Sequence, residues 1–127
     1  MKARFAVATI LLLAATPGFA HRLDEYLQAT TISLEKTRVH AQMRLTPGVA
    51  VFPTVFANID ADADGLISEN EERAYAERVL RDLSLSIDGD RLTPRRLSVK
   101  FPSIDELKGG LGEIQLEFYA DLPAKGF

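Results

Sequence analysis

Asp60-Ala61-Asp62-Ala63-Asp64-Gly65-Leu66-Ile67-Ser68-Glu69-Asn70-Glu71 is the stretch on which the organisation of this chain turns. Carboxylates recur at alternate positions 60, 62 and 64, a glycine follows at once, and Ser68 and Glu71 close the run. Upstream, Phe52, Val55, Phe56 and Ile59 stand at i, i+3, i+4 and i+7, the apolar stripe of a short amphipathic helix. Pro53 falls in its first turn, where a missing N–H costs little. Downstream, Ser68 and Glu71 have the spacing of a capping box and predict a second helix over 69–83. Tyr75, Ala76, Val79, Leu80 and Leu83 lie on the apolar side of that helix. The stretch therefore joins two helices, each with one face to bury, and the flanking sequence must supply what they pack on.

That flanking sequence reads with period two. Residues 26–34 are rich in Thr, Ile and Leu and predict a strand; Glu35-Lys36-Thr37 is a turn. Residues 38–45 alternate strictly, with Val39, Ala41, Met43 and Leu45 on one face, so 26–45 reads as a hairpin ended by Thr46-Pro47-Gly48. Beyond the second helix, Leu83, Leu85 and Ile87 alternate up to Asp88-Gly89, a tight-turn signal. Leu97, Val99 and Phe101 alternate again, and Pro94 implies an edge strand or a late start. Lys108-Gly109-Gly110-Leu111-Gly112 reads as a flexible loop before a last strand with Ile114, Leu116, Phe118 and Ala120 facing one way. The order is strand, strand, helix, loop, helix, then three strands. It predicts an α+β fold: a small antiparallel β-sheet with a helix–loop–helix inserted after the first hairpin.

The 127 residues do not all belong to that domain. Lys2 and Arg4 precede an apolar run over residues 5–15, and Gly18 and Ala20 flank Phe19. A basic start, a short apolar core and a small-x-small ending describe a secretory signal peptide, residues 1–20, cleaved after Ala20. The run is short for a bilayer span, which takes about 20 apolar residues. The expectation is an exported protein, periplasmic or extracellular, whose single α+β domain occupies 21–127. The whole chain carries 15 Lys+Arg against 18 Asp+Glu, net −3; without Lys2 and Arg4 the formal charge is −5. That balance argues against a nucleic-acid partner and suits a cation. There is no cysteine, so thiolate metal sites, disulfides and cysteine nucleophiles are excluded. A small exported domain without disulfides needs another source of stability, and a bound metal ion is one.

The chemistry of 60–71 points to the same ion. Calcium takes six to eight oxygen ligands, and a continuous loop supplies them only if acids recur at alternate positions and the backbone turns sharply between them. Asp60, Asp62 and Asp64 occupy loop positions 1, 3 and 5, with Gly65 at 6 for the left-handed turn. Leu66 at 7 offers its carbonyl, Ser68 at 9 binds directly or through water, and Glu71 at 12 closes the shell with both oxygens. Glu71 is thus asked to cap a helix and to bind an ion, and the two roles compete for one carboxylate, with coordination dominant. The other interpretation of these residues is a solvated Asp/Gly turn. The segment 52–83 resembles a single EF-hand, with every motif position filled and Ile67 at the apolar position 8. EF-hands usually pair through position 8, and no second loop exists here: Asp88-Gly89-Asp90 lacks the acidic spacing, and Val99 stands where a closing Glu would be. Ile67 must therefore meet a sheet strand, another molecule or nothing. A calcium sensor exposes a Met-rich groove, whereas Met43 reads as strand core, so a structural role is favoured over switching.

His21, as a new N-terminus, offers an amine and an imidazole that together chelate Ni or Cu; His40, the only other histidine, lies on the outward face of its strand. The start His21-Arg22-Leu23-Asp24-Glu25-Tyr26, followed by a hairpin, the acidic loop and further strands, is similar to the extracytoplasmic domain ahead of bacterial nickel/cobalt-transporter-like membrane proteins. That resemblance implies an alternative function, an accessory domain of a transition-metal transporter, with a membrane-protein partner or a membrane region further along the chain. A third alternative is a calcium-gated interaction module working through Ile67. No nucleophile elbow, paired-His zinc motif or phosphate loop occurs, so an enzyme is not expected.

Overall fold

The computed structural model describes residues 24–124. The predicted signal peptide and His21 lie outside the described residues. Within them the chain runs β1 (Tyr26–Leu34), β2 (Arg38–Pro47), α1 (Phe52–Ile59), α2 (Glu69–Asp82), β3 (Leu85–Ile87), β4 (Asp90–Leu92), β5 (Arg95–Lys100), α3 (Ile104–Lys108) and β6 (Ile114–Asp121). The fold is α+β. Four strands form an antiparallel sheet in the order β1-β2-β6-β5, and β3 and β4 form a separate two-stranded ribbon.

One face of the sheet is the core. Ala41, Met43 and Leu45 of β2 and Ile114, Leu116 and Phe118 of β6 alternate inward and are buried, as period two requires. The helices lie on that face: Ile59 from α1, Ala76 and Leu80 from α2 and Leu107 from α3 join the same cluster, with Phe52, Val55, Tyr75, Val79, Leu83 and Phe101 packed around it. The opposite face is polar, and there His40 pairs with Glu117 (Nε2–Oε1 2.7 Å) while Arg38 lies over the Tyr119 ring. A smaller cluster of Val39, Leu92 and Ala120 seats the β3–β4 ribbon at one end of the sheet. Among the described residues no helix is long and apolar enough to cross a membrane.

Three details differ from the pattern expected after α2. The Asp88-Gly89 turn, with φ 49° and 84°, closes a hairpin onto β4, a three-residue strand too short to announce itself by alternation. Leu97 does not share the inner face with Val99. The register steps from Arg96↔Phe118 to Ser98↔Glu117, which leaves Leu97 as the extra residue of a bulge and 48% exposed. The segment before the glycines is not all loop either, because Ser103 and Glu106 form a capping box that opens α3. β5 begins after Pro94 and is an edge strand, both as Pro94 implied.

Candidate metal centre

The loop between α1 and α2 is held by its own carboxylates. Asp60 caps the end of α1, its N–H donating to the Phe56 carbonyl. Its two oxygens accept from Asp64 N (3.2 Å) and Gly65 N (2.9 Å). Asp62 Oδ1 accepts from Asp64 N (3.2 Å) and Asp64 Oδ1 from Leu66 N (2.9 Å). Each aspartate thus turns the backbone two to five residues ahead of it, which short acidic side chains do well. Gly65 sits at φ 80°, the left-handed conformation expected of loop position 6, and Ala63 also adopts it at φ 56°.

Glu71 reaches back across the whole loop from the first turn of α2. Its Oε1 accepts from Ser68 N at 2.9 Å, and Ser68 Oγ accepts from Glu71 N at 3.1 Å, completing the capping box. Its Oε2 accepts from Ala61 N at 2.6 Å, beside Asp60. Glu71 is 8% exposed, and its carboxylate ties the last loop position to the second. Capping and inward orientation therefore coexist. Oε2 also accepts from Asp62 N at 3.5 Å, so backbone N–H groups engage both oxygens of this carboxylate.

These contacts gather four acids. One carboxylate oxygen from each of Asp60, Asp62, Asp64 and Glu71 lies within 4.8 Å of all the others, with Asp60 and Glu71 buried and Asp62 and Asp64 exposed. The Ser68 N–H, against opposing burial, and then the Ser68 hydroxyl and the Ala61 and Asp62 N–H groups hold the Glu71 carboxyl below its ordinary pKa. Asp62 goes the other way. The Asp64 N–H favours its ionised form, but the carboxyls of Asp60 and Asp64 crowd it, and its pKa ends above the ordinary value. A divalent cation held among these carboxylates would relieve that crowding.

Of the six residues expected as ligands, four are thus brought together. Ser68 is seen as the N-cap of α2, and Leu66 is exposed, its N–H bound to Asp64. Ile67 joins no strand pairing among the described residues; it is half-buried and packs on the main core. A sheet protein thereby gives the position-8 side chain an intramolecular seat. The loop is further fixed by Arg78 of α2, whose guanidinium donates to the Asn58 carbonyl at the end of α1. That tie carries no local signal in the sequence, because its partners stand 20 residues apart. Comparison with protein-family models, curated proteins and solved structures gives no match to this chain.

Proposed function

We propose that residues 52–83 are a single EF-hand whose loop binds one calcium ion, and that the ion is a structural clip in an exported domain. The observation that carries this proposal is the convergence of Asp60, Asp62, Asp64 and Glu71 within 4.8 Å. Ligands on opposite sides of a calcium ion, at about 2.3–2.6 Å each, stand about 4.6–5.2 Å apart. The four oxygens fit inside that shell with little movement, and the Leu66 carbonyl and Ser68 hydroxyl or a water complete it. The burial of Met43 at 1% exposure and the seating of Ile67 on the core favour a clip over a switch, because neither is held ready for a partner.

Extracellular modules of this kind bind at about 10⁻⁴–10⁻³ M, so about 10 mM calcium would stabilise the fold by about 1.4–2.7 kcal/mol. Thermal melts in calcium and in chelator test this, with a higher melting temperature expected in calcium. Glu71→Gln removes one of the two closing oxygens and is expected to abolish most of the difference. Equal melting temperatures for the unaltered chain would overturn the proposal. Export rests on the character of residues 1–20, and mass measurement of the secreted protein tests it, the expected N-terminus being His21.

A further inference from the structure

The two edges of the main sheet are built differently. β5 is blunted in the ways that sheet proteins use to prevent edge pairing: Pro94 precedes it, a bulge interrupts it, and Arg95, Arg96 and Lys100 line it. Arg96 is also tied to Glu77 of α2 at 2.9 Å. β1 has none of these devices. Its nine residues, Tyr26–Leu34, contain no charge and no proline, and their register with β2 runs without a bulge.

The backbone groups that β1 leaves open can be named. Glu35 N donates to the Arg38 carbonyl (2.8 Å) and Gly48 N to the Glu25 carbonyl (2.7 Å), so residues 25 and 35 bond toward β2. Antiparallel alternation turns Leu27, Ala29, Thr31 and Ser33 the same way. It leaves the N–H and C=O groups of Tyr26, Gln28, Thr30, Ile32 and Leu34 directed at the open side, where no described strand pairs with them. The side chains agree. Ile32 and Leu34 are 58% and 66% exposed although their cross-strand partners Ala41 and Val39 are buried, so among the described residues the apolar face of the sheet runs uncovered to its edge.

We propose that a second copy of this chain covers that edge, the two β1 strands pairing antiparallel about a two-fold axis through Thr30. An axis normal to the sheet keeps both helix-bearing faces on one side and joins two four-stranded sheets into one. Tyr26 then lies opposite Leu34, Gln28 opposite Ile32 and Thr30 opposite its own copy, which uses every open backbone group in the strand. The uncharged strand meets its copy without repulsion. Just outside it Asp24 faces Lys36 at both ends and, on the other face, Glu25 faces Glu35 at both ends, so the flanking charges balance. The isologous contact closes on itself, and the blunted β5 edges stop growth at two copies.

Sedimentation equilibrium of the purified protein across micromolar concentrations is expected to give the mass of two chains. Thr30→Lys opposes two like charges at the axis, at an exposed edge position where the fold tolerates lysine, and is expected to give one chain with an unchanged circular dichroism spectrum. The chain has no cysteine of its own, so a short bis-maleimide added to Thr30→Cys reports the axis directly. It is expected to yield a two-chain species, while Thr54→Cys on the exposed side of α1 yields none. A single-chain mass for the unaltered protein, a dimer that survives Thr30→Lys, or assembly beyond two copies would each overturn the proposal. A single-chain mass with β1 amides protected from exchange would also overturn it, by assigning the edge to the chain's own N-terminal segment.

Discussion

Two helices of this protein begin with the same device. Ser68 and Glu71 open α2, Ser103 and Glu106 open α3, and in each the serine hydroxyl accepts the glutamate N–H while the glutamate carboxylate accepts the serine N–H. The lengths match closely: 3.1 and 2.9 Å at α2, 3.2 and 3.0 Å at α3. What differs is the second oxygen. Glu106 is exposed and, among the described residues, its carboxylate meets only the Ser103 N–H, through Oε2, whereas Glu71 is buried and its Oε2 bonds Ala61 N at the far side of an aspartate loop. A capping box is thus a local device with a spare valence, and the chain on its N-terminal side decides whether that valence has a use. At α2 it joins three aspartates. At α3 the helix is held by a buried leucine instead.

That contrast can be broken at several points. Leu107 is 1% exposed, and Leu107→Ala is expected to cost about 2–5 kcal/mol. The loss should be the same in calcium and in chelator, as denaturant unfolding will show; a calcium-dependent loss would mean that the two helix starts are coupled. The glycines sharpen the distinction. A Cβ on Gly112 would stand 2.8 Å from Pro102 Cγ and 3.0 Å from the backbone of α3, so Gly112→Ala should cost about 1–3 kcal/mol by overpacking. Gly65 has open space but φ 80°, and Gly65→Ala should cost about 1–2 kcal/mol through backbone strain alone, together with weaker calcium binding in a titration.

Ser68→Ala and Ser103→Ala each remove one cap hydrogen bond and are expected to cost about 1 kcal/mol in chelator. Only Ser68→Ala should also reduce the calcium-induced rise in melting temperature, and equal behaviour of the two variants would erase the distinction between the boxes. The smallest effect concerns pH. The folded state holds the Glu71 carboxyl below its ordinary pKa, so its contribution is present above the unfolded value of about 4.3 and is lost as pH falls through the lower folded value. Melts in chelator between neutral pH and pH 3 should show an acid-side loss that Glu71→Gln reduces.

How far the sequence spoke depended on length and on range. The stripe Phe52–Ile59 and the alternation Val39–Leu45 each repeat enough to be read, and both elements fall where they were expected. α3 has five residues, less than two turns, so no stripe could form; its only signal was the Ser103–Glu106 spacing, the same one that marked α2. Leu97 misled because alternation assumes an unbroken ladder, and a bulge is specified by the partner strand as much as by the strand that carries it. Within the acidic loop, the alternation of acids and the left-handed glycine were legible because loop chemistry is local. The Arg78–Asn58 tie and the hydrogen bond between the Tyr26 and Tyr75 hydroxyls (2.6 Å) were not, because each joins residues that are neighbours only after folding.

The sequence by itself determined the α+β class, the hairpin, both long helices and the four acids of the loop, since each depends on contacts between residues close along the chain. Tertiary structure alone decided where Ile67 rests, that Glu71 caps and faces the loop at once, and that one sheet edge is blunted while the other is unpaired among the described residues. Those outcomes depend on which surfaces remain uncovered once the helices have docked. Local periodicity carries no record of that.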